Sequence, residues 1–431
     1  MNFLKKQSPV RIISLGFALV ILIGSVLLSL PCSIRDGVTL RYIDALYMST
    51  SAVCVTGLLT VDAGDTFTPR GQFFLGMLIQ VGGLGVTAVG TGVILAMGKK
   101  INLKARNLIR EAGNLDSGKG VIRFIRLVFL TTVTFELAGA ALSFLVFRKS
   151  FPPLKAAGVS LFHSVASFNN SGFDILGGGQ NLIPYQDDIL LNLVTCALVI
   201  FGGIGFLVIR EVIAKRFRWK KLSMHAKVVL FMSLVLTAAG TVLLKLTEDI
   251  TWMGAFFTSV SARTAGFSTF PLGSFSGAGL LTVIVLMVIG ASPGSTGGGI
   301  KTTTCYVLFE GIRSSATNTS EKAFRYAVPT DAFRKAAVIT LLAIGIVLSG
   351  TYILVILEPG VPFLDALFEM SSAFGTAGLS TGISAGLCDA AKILTILIMF
   401  IGRLGPLTIA SLWYFTKGER VSYPEGNIAI G

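Results

Sequence analysis

Four short stretches of this chain match when they are aligned on a glycine, namely Gly57, Gly172, Gly266 and Gly378. Each follows an apolar segment of roughly 12 residues, too short to cross a bilayer as a helix. Each also lies between two apolar segments that are long enough to cross one. A repeat constrains the fold more than any single motif does, because every copy is one structural unit that packs against its neighbours.

The match extends beyond the glycine. An aromatic residue precedes each glycine by ten positions, a small residue precedes it by five, and a bulky apolar residue follows it directly. In chain order the aromatic residues are Tyr47, Phe162, Phe256 and Phe368, and the small ones are Ala52, Ser167, Ser261 and Ala373. Agreement at several offsets in four copies indicates a real internal repeat.

The composition indicates that lipid surrounds most of the chain. Hydrophobic residues make up 53% of the sequence and charged residues 13%, whereas soluble domains carry about 25% charged residues. The apolar runs are long and do not alternate, which favours helices over a barrel. Eight long segments stand out, at 11–30, 72–97, 124–146, 189–209, 227–246, 278–300, 336–357 and 391–414. Four short ones stand between them, at 43–53, 157–168, 251–262 and 363–374.

These segments predict an all-α polytopic membrane protein. Taken in order they form four helix–pore-helix–helix repeats, with eight transmembrane helices and four half-helices around one central pore. The predicted boundaries are 1–98, 99–216, 217–312 and 313–431, and the last repeat includes the C-terminal tail.

Charge predicts the orientation of the helices. Lys and Arg concentrate near both termini and in the connectors 98–126, 210–227 and 301–335. The positive-inside rule therefore puts both termini in the cytoplasm, and the half-helices enter from outside. Orientation and lipid headgroup contact account for the net charge of +14 without a nucleic-acid partner. A docking face for a cytosolic protein is the alternative interpretation of the same loops.

The glycine-aligned segments predict a cation-selective filter. A cation that crosses lipid must exchange its water shell for equally polar groups, and rings of backbone carbonyls can supply them. Glycine reaches the backbone angles that this requires, and the negative end of each half-helix favours a cation. We predict that the side chain of Arg263 points away from the ion path and braces the filter, as do Asn169 and Asn170. The predicted ion-binding residues are Val53, Cys54, Val55, Thr56, Gly57, Asn169, Asn170, Ser171, Gly172, Arg263, Thr264, Ala265, Gly266, Gly375, Thr376, Ala377 and Gly378.

The sixth long segment cannot run as one regular helix, because Pro293 and several glycines interrupt it. Breaks of this kind mark functional backbone in membrane proteins. We predict a loop below the filter that obstructs the pore and moves on opening, with Arg403 of the last helix beside it. The predicted gating residues are Gly290, Ala291, Ser292, Pro293, Gly294, Ser295, Thr296, Gly297, Gly298, Gly299, Lys301 and Arg403.

Two further features of the long segments carry predictions. Glycine clusters recur in the second, fourth and eighth segments, around Gly82, Gly202 and Gly402, and we interpret them as sites of close helix packing. Glu136 is the one acid well inside a long segment. We expect it to pair with a neighbouring helix, because a charge within the membrane is costly.

The sequence argues against an enzyme. The chain has five scattered cysteines and two histidines, without metal-ligand spacing or a catalytic constellation. The alternative to a channel is a secondary transporter that couples a solute to Na⁺ or H⁺. Such transporters use broken helices too, but usually in inverted repeats with acidic residues at the midplane.

The motifs resemble the Trk/Ktr/HKT potassium-transport superfamily, and within it the membrane subunits of bacterial Ktr potassium uptake systems. The resemblance covers nearly the whole chain. It is carried by the segments that end at Gly57, Gly172, Gly266 and Gly378, by Gly290–Lys301 with Arg403, and by the tail 424–431.

The resemblance implies a K⁺-selective pore subunit of an uptake system in the bacterial cell membrane, gated by the intramembrane loop. It implies a homodimer with one pore per subunit, a dimer contact from the tail, and a cytosolic ring of nucleotide-binding regulatory subunits. Serine at the first filter glycine goes with sodium preference in this superfamily. The chain has Gly57 there, so K⁺ is the expected ion at the filter. The resemblance also raises activation by Na⁺, and it implies no covalent cofactor.

Overall fold

The computed structural model describes residues 9–96 and 120–411, and it is 71% helical. The predicted basic residues Lys5 and Lys6, most of the connector 98–126 and the tail 424–431 lie outside the described residues. The helices of four residues or fewer are left unlabelled. The labelled helices are α1 Pro9–Leu28, α2 Tyr42–Cys54, α3 Pro69–Leu84, α4 Val86–Ala96, α5 Val121–Phe147, α6 Pro153–Phe168, α7 Ile189–Ile204, α8 Phe206–Ala214, α9 Met224–Thr247, α10 Trp252–Ser261, α11 Gly277–Val288, α12 Thr302–Thr317, α13 Thr330–Leu357, α14 Phe363–Gly375, α15 Asp389–Leu404 and α16 Pro406–Ser411.

Among the described residues, four continuous helices are long and apolar enough to cross a membrane. They lie within α1, α5, α9 and α13, which are the first long segment of each predicted pair. A fifth span results if α7 and α8, which meet at an angle of 97°, are counted together. Eight membrane crossings remain a prediction for the chain as a whole.

The second long segment of each pair is interrupted, which the sequence analysis predicted only for the sixth. Three interruptions fall on a glycine with positive φ, at Gly85 (86°), Gly205 (98°) and Gly405 (89°). Their ψ values of 134–141° lie far from the helical region. The clusters interpreted as packing sites therefore also end a helix, so that interpretation was incomplete.

The four short apolar segments form α2, α6, α10 and α14, close to the predicted ranges. Asp44 lies in the first turn of α2 and Asp365 in the first turn of α14, where a negative charge interacts favourably with the helix dipole. Each of these helices ends in the glycine-aligned segment that follows it. Their last turns are almost completely buried.

One packing contact recurs in the first three repeats, where the short helix crosses the first long helix of its pair. A serine hydroxyl of the short helix donates to a backbone carbonyl of the long one. The pairs are Ser49 to Ile21 at 2.7 Å, Ser164 to Glu136 at 2.7 Å and Ser259 to Thr237 at 2.9 Å. A glycine three residues after each carbonyl lets the helices approach, at Gly24, Gly139 and Gly240. The contact shows that the sequence repeat is also a repeat in space.

A buried ion pair joins the two ends of the described chain. The Lys392 ammonium on α15 lies 2.7 Å from the Asp44 carboxylate on α2, and both side chains are less than a tenth exposed. Arg41 bridges the same acid and Asp389 on the exposed side. The ion pair therefore holds α15 against α2, although the two helices are far apart in the sequence.

A small antiparallel hairpin lies between α12 and α13. Strand β1 (Lys322–Ala323) pairs with β2 (Tyr326–Ala327), and Lys322 is opposite Ala327. Phe324 at the turn contacts Trp219 and Phe231 through edge-on ring packing. The hairpin thus lies on the side of the molecule where the basic connectors emerge.

Candidate functional site: a closed ring of glycine segments

The four aligned glycines meet in one closed ring. A Cβ added to Gly57 would lie 2.4 Å from the Ser171 carbonyl oxygen, and one on Gly172 would lie 2.7 Å from the Gly266 Cα. One on Gly266 would lie 2.8 Å from the Ala377 oxygen. One on Gly378 would lie 2.1 Å from the Thr56 oxygen, which closes the ring. Only glycine fits at each position without moving the neighbouring segment.

The backbone of the four segments repeats as closely as the sequence does. The residue two positions before each glycine has a positive φ: 56° at Val55, 58° at Asn170, 73° at Thr264 and 49° at Thr376. The glycines themselves have φ between 68° and 99°. A residue other than glycine is uncommon in this region, and the β-branched Val55, Thr264 and Thr376 are strained there, so they persist only where the surroundings hold them. Four such positions around one axis indicate a functional constraint on the backbone.

A vestibule of about 490 Å³ opens on one side of the ring. It is lined by three of the ring glycines and by the loops that follow the glycine segments. Asp62 and Asp174 also line it. The space is large enough for several water molecules, so a hydrated ion can reach the ring from this side.

The acids at and beside the vestibule accept hydrogen bonds from backbone N–H groups. Asp65 and Asp62 accept hydrogen bonds from Gly178 and Gly179, both at 2.8 Å. Burial, with a smaller contribution from the charges of Asp62 and Asp65, raises the pKa of the nearby Asp174 carboxyl to about 7. A hydrogen bond from the Leu176 N–H at 3.0 Å acts in the opposite direction. Asp174 therefore changes its charge near neutral pH. It was not among the predicted site residues, although it follows Gly172 by two positions.

On the other side of the ring lies the loop 289–301, between α11 and α12. It contacts three of the four residues that precede the ring glycines by two positions. The Asn170 amide lies 3.3 Å from the Thr296 hydroxyl, and the Gly298 N–H donates to the Thr376 hydroxyl at 3.0 Å. A Cβ on Gly297 would lie 2.1 Å from the Thr264 hydroxyl. The predicted break in the sixth segment is confirmed, and the loop lies directly beneath the ring.

The loop is also bound to the break between α7 and α8. Ser292 and Thr296 donate backbone hydrogen bonds to the carbonyls of Gly203 and Gly202, and Phe206 donates to Gly294. The α7 carbonyls are free to accept because their helix ends at Gly205. The interruption between α7 and α8 therefore provides hydrogen-bonding groups for the loop. The sequence analysis did not predict this interruption.

Two cationic side chains donate hydrogen bonds to carbonyl groups of the loop. The Lys301 ammonium donates to Gly297 at 2.8 Å and to Gly298 at 3.2 Å. The Arg403 guanidinium donates to the carbonyls of Thr296, Gly82 and Gly83. Gly82 and Gly83 lie at the end of α3, where the break at Gly85 leaves carbonyls without helical partners. Arg403 therefore joins the loop to the end of α3.

The remaining predicted residues differ in their surroundings. Cys54 and Gly375 end the short helices and are completely buried. Asn169 hydrogen-bonds to neighbouring helices, as expected of a bracing residue. Arg263 is 7% exposed, but its Nε and Nη1 atoms have no hydrogen-bond partner. The predicted bracing by Arg263 is therefore not seen at those two atoms.

Another buried acid near the ring was missed in the sequence. Glu369 on α14 is completely buried and accepts hydrogen bonds from the hydroxyls of Ser380, at 2.8 Å, and Ser384. These serines belong to the loop that follows Gly378 and lines the vestibule. The available signal was an acid in the middle of a short apolar segment, away from the first turn where Asp365 lies.

Comparison with known proteins identifies the family. The profile of TrkH, described as a cation transport protein, matches residues 10–247 and 221–416. The chain is 36% identical to Ktr system potassium uptake protein B of Bacillus subtilis, covering 98% of this chain and 97% of that protein. It is 35% identical to the potassium/sodium uptake protein NtpJ of Enterococcus hirae, covering 99% and 98%.

A solved structure has the same fold. The potassium transporter TrkH of Vibrio parahaemolyticus matches with a TM-score of 0.75 at 19% identity, covering 95% of this chain and 86% of that one. The predominantly helical architecture is thus that of a polytopic membrane protein. The family profile, the near full-length relatives and this fold agree, so the chain belongs to the TrkH family of cation transport proteins, as a relative of the Ktr potassium uptake proteins.

Proposed function

We propose that this chain is the K⁺-selective pore subunit of a potassium uptake system, with four helix–pore-helix–helix repeats around one pore. The observation that carries the proposal is the closed ring of Gly57, Gly172, Gly266 and Gly378. Four equivalent backbone segments around one axis offer a dehydrated cation a set of carbonyl oxygens, and such rings select K⁺. In this proposal α2, α6, α10 and α14 are the pore helices, and the vestibule faces the outside.

The loop 289–301 is the gate in this proposal. It contacts residues from three of the four glycine segments on the side opposite the vestibule, so an ion leaving the ring meets it next. Lys301 and Arg403 hold the loop by hydrogen bonds to its carbonyls. Opening requires the loop to exchange these bonds for others, and the cytosolic nucleotide-binding ring supplies the energy for that exchange.

The names of the relatives support the ion and the assembly. Two Bacillus relatives and one of Vibrio are potassium uptake proteins of Ktr systems, which supports K⁺ as the cargo and a membrane subunit within a larger system. We extend this to a homodimer with a cytosolic ring, and to basic loops and termini in the cytoplasm. Activation by Na⁺ is part of the proposal, since a relative in Enterococcus is a potassium/sodium uptake protein.

A flux assay tests the proposal against a Na⁺- or H⁺-coupled secondary transporter. The full chain is reconstituted into liposomes, and Tl⁺ or K⁺ entry is followed down its own gradient without Na⁺ and with the proton gradient collapsed. A pore gives entry under these conditions, and a saturating K⁺ concentration outside competes with Tl⁺. Entry that strictly requires a second ion at a constant stoichiometry would overturn the pore and support the transporter.

A further inference from the structure

A buried polar cluster lies where α3, α5 and the end of α6 meet. The Asn169 Nδ2 atom donates to Gln80 Oε1 on α3 at 2.8 Å and to Glu136 Oε1 on α5 at 3.0 Å. It also lies 2.9 Å from the Val165 carbonyl oxygen. Asn169 is completely buried and Glu136 is 7% exposed. The amide is therefore held from three sides within the apolar interior.

The cluster is specific to the second repeat. The position of Glu136 is occupied by Ile21 and Thr237 in the first and third repeats, as the recurring serine contact shows. Among the described residues, no ion pair includes Glu136. A carboxyl group without a cation in this environment is costly. Helix packing alone does not require it, because residues without a carboxyl group, Ile21 and Thr237, serve at the equivalent position.

The cluster determines how one glycine segment leaves its helix. Asn169 is the last residue before Asn170, where the backbone turns to a φ of 58°, and Gly172 of the ring follows two residues later. The left-handed turn persists only if its surroundings hold it. The hydrogen bonds from Asn169 fix the residue on which the turn begins.

The same cluster also contacts the end of α3. The Asn169 Oδ1 atom packs on Gly83, where an added Cβ would lie only 2.0 Å away. The carbonyls of Gly82 and Gly83 accept from Arg403, which also donates to Thr296 in the loop 289–301. A continuous series of contacts thus runs from the ring segment through Asn169, Gly83 and Arg403 to the loop.

We propose that Glu136 and Gln80 are positioning residues that hold Asn169, and that this contact couples the second ring segment to the loop. The inference rests on the proposed function and goes beyond it. A shift of Asn169 moves both the carbonyls of residues 170–172 and the surface on which the end of α3 packs. Loss of the cluster should therefore change ion selectivity and loop opening together.

The first experiment compares three variants of the full chain in liposomes by their Tl⁺ flux and their K⁺/Na⁺ flux ratio. Glu136→Leu removes the acceptor and should lower the ratio about tenfold, the effect of one buried hydrogen bond. Glu136→Gln keeps an acceptor oxygen and should recover most of the ratio. Ser164→Ala is the matched control, because it removes the 2.7 Å bond between the same two helices without touching Asn169. It should leave the ratio unchanged.

A double-mutant cycle tests the connection to the loop. Glu136→Leu and Arg403→Leu are combined, and the leak flux of all four proteins is compared. Coupling predicts a combined effect that differs from the product of the single effects by threefold or more, on the order of known interaction energies between residues in one network. Independent effects would overturn the coupling, because contact in space is not by itself evidence of it. Gln80→Leu replaces Glu136→Leu in the cycle if the latter fails to fold.

The results separate this inference from the function on which it rests. A wild-type chain without passive Tl⁺ flux would overturn the proposed pore. A wild-type chain that conducts, together with Glu136→Leu and Gln80→Leu chains that keep its K⁺/Na⁺ ratio, would overturn only the positioning role. An equal loss of selectivity in Ser164→Ala would also overturn it, since the effect would then come from helix packing.

Discussion

The glycine ring and the loop 289–301 adjoin each other but are built in opposite ways. The ring has four nearly equivalent parts, each with a glycine and a left-handed residue two positions before it. The loop occurs once, in the third repeat. It is held by the break at Gly205, by Lys301 and by Arg403, and the described residues contain no second loop held in this way. In the proposed function, selectivity therefore uses the symmetry of the repeats, whereas gating uses one departure from it.

The largest expected effect comes from breaking the symmetry of the ring. Gly57→Ser adds a side chain where a Cβ meets the Ser171 oxygen at 2.4 Å and φ is 99°. Strain of this kind costs about 1–3 kcal/mol, so the K⁺/Na⁺ flux ratio should fall at least about tenfold. Gly37→Ser is the matched control, since Gly37 also has a positive φ but nothing within 4 Å of an added Cβ. Unchanged selectivity in Gly57→Ser would remove the ring from the filter assignment.

The next effect comes from removing the single-copy element. Deletion of residues 291–299 should raise the leak flux of Tl⁺ several-fold, because it removes the barrier beneath the ring. Gly297→Ala is a milder form, with a Cβ 2.1 Å from the Thr264 hydroxyl. Gly360→Ala is its control, because Gly360 lies outside the loop and an added Cβ there meets nothing within 4 Å. A leak equal to that of the intact chain would mean that the loop is not the barrier.

A smaller effect should follow from loosening the loop without removing it. Arg403→Leu deletes the hydrogen bonds to Thr296 and to the end of α3. Each such bond to a charged group contributes about 1.5–3 kcal/mol, so open probability should rise, measured as the leak flux at fixed K⁺. Arg403→Lys keeps the charge but cannot reach both sites at once. Its leak flux should therefore lie between those of the wild-type chain and Arg403→Leu. If the leak flux of Arg403→Leu equals that of the wild-type chain, Lys301 alone restrains the loop.

The smallest effect concerns the vestibule. It leaves both the ring and the loop intact, so it shows how far ion entry depends on neither of them. Because burial raises the pKa of Asp174 to about 7, this acid is neutral below that pH and negative above it. K⁺ influx at low K⁺ concentration should therefore rise about twofold as the vestibule-side pH passes from 6 to 8, since a negative charge near the entrance attracts the ion. Asp174→Asn should flatten the profile, while Asp187→Asn in the same loop should not. An unchanged profile in Asp174→Asn would exclude this acid as the source.

Much of the architecture could be predicted from sequence patterns. The short helices before Gly57, Gly172, Gly266 and Gly378 lie within a few residues of their predicted ranges, because apolar length and a following glycine are local signals. The break around Pro293 could be predicted for the same reason. The breaks at Gly85, Gly205 and Gly405 could not, because glycine in an apolar run is equally compatible with close packing. A Gly-x-x-Gly pattern that ends on the break glycine in all three was the signal that could have revealed them.

The side-chain environments were the least predictable part of the site. Asn169 and Arg263 occupy equivalent positions three residues before a ring glycine, and both were expected to brace it. Asn169 hydrogen-bonds to Gln80 and Glu136, whereas two nitrogen atoms of Arg263 have no partner. The partners of Asn169 lie 89 and 33 residues away in the chain, and no local pattern reports such distances.

The sequence by itself determined the number of glycine segments, the lengths of the short helices before them and the position of the interrupted sixth segment. These properties follow from apolar length and from the conformational freedom of glycine, both of which act over a few residues. Only the tertiary structure decided that the four glycines close into one ring, that the loop lies beneath it, and that Arg403 joins the loop to the end of α3. Those contacts depend on how helices far apart in the chain pack, and packing is a property of the assembled chain.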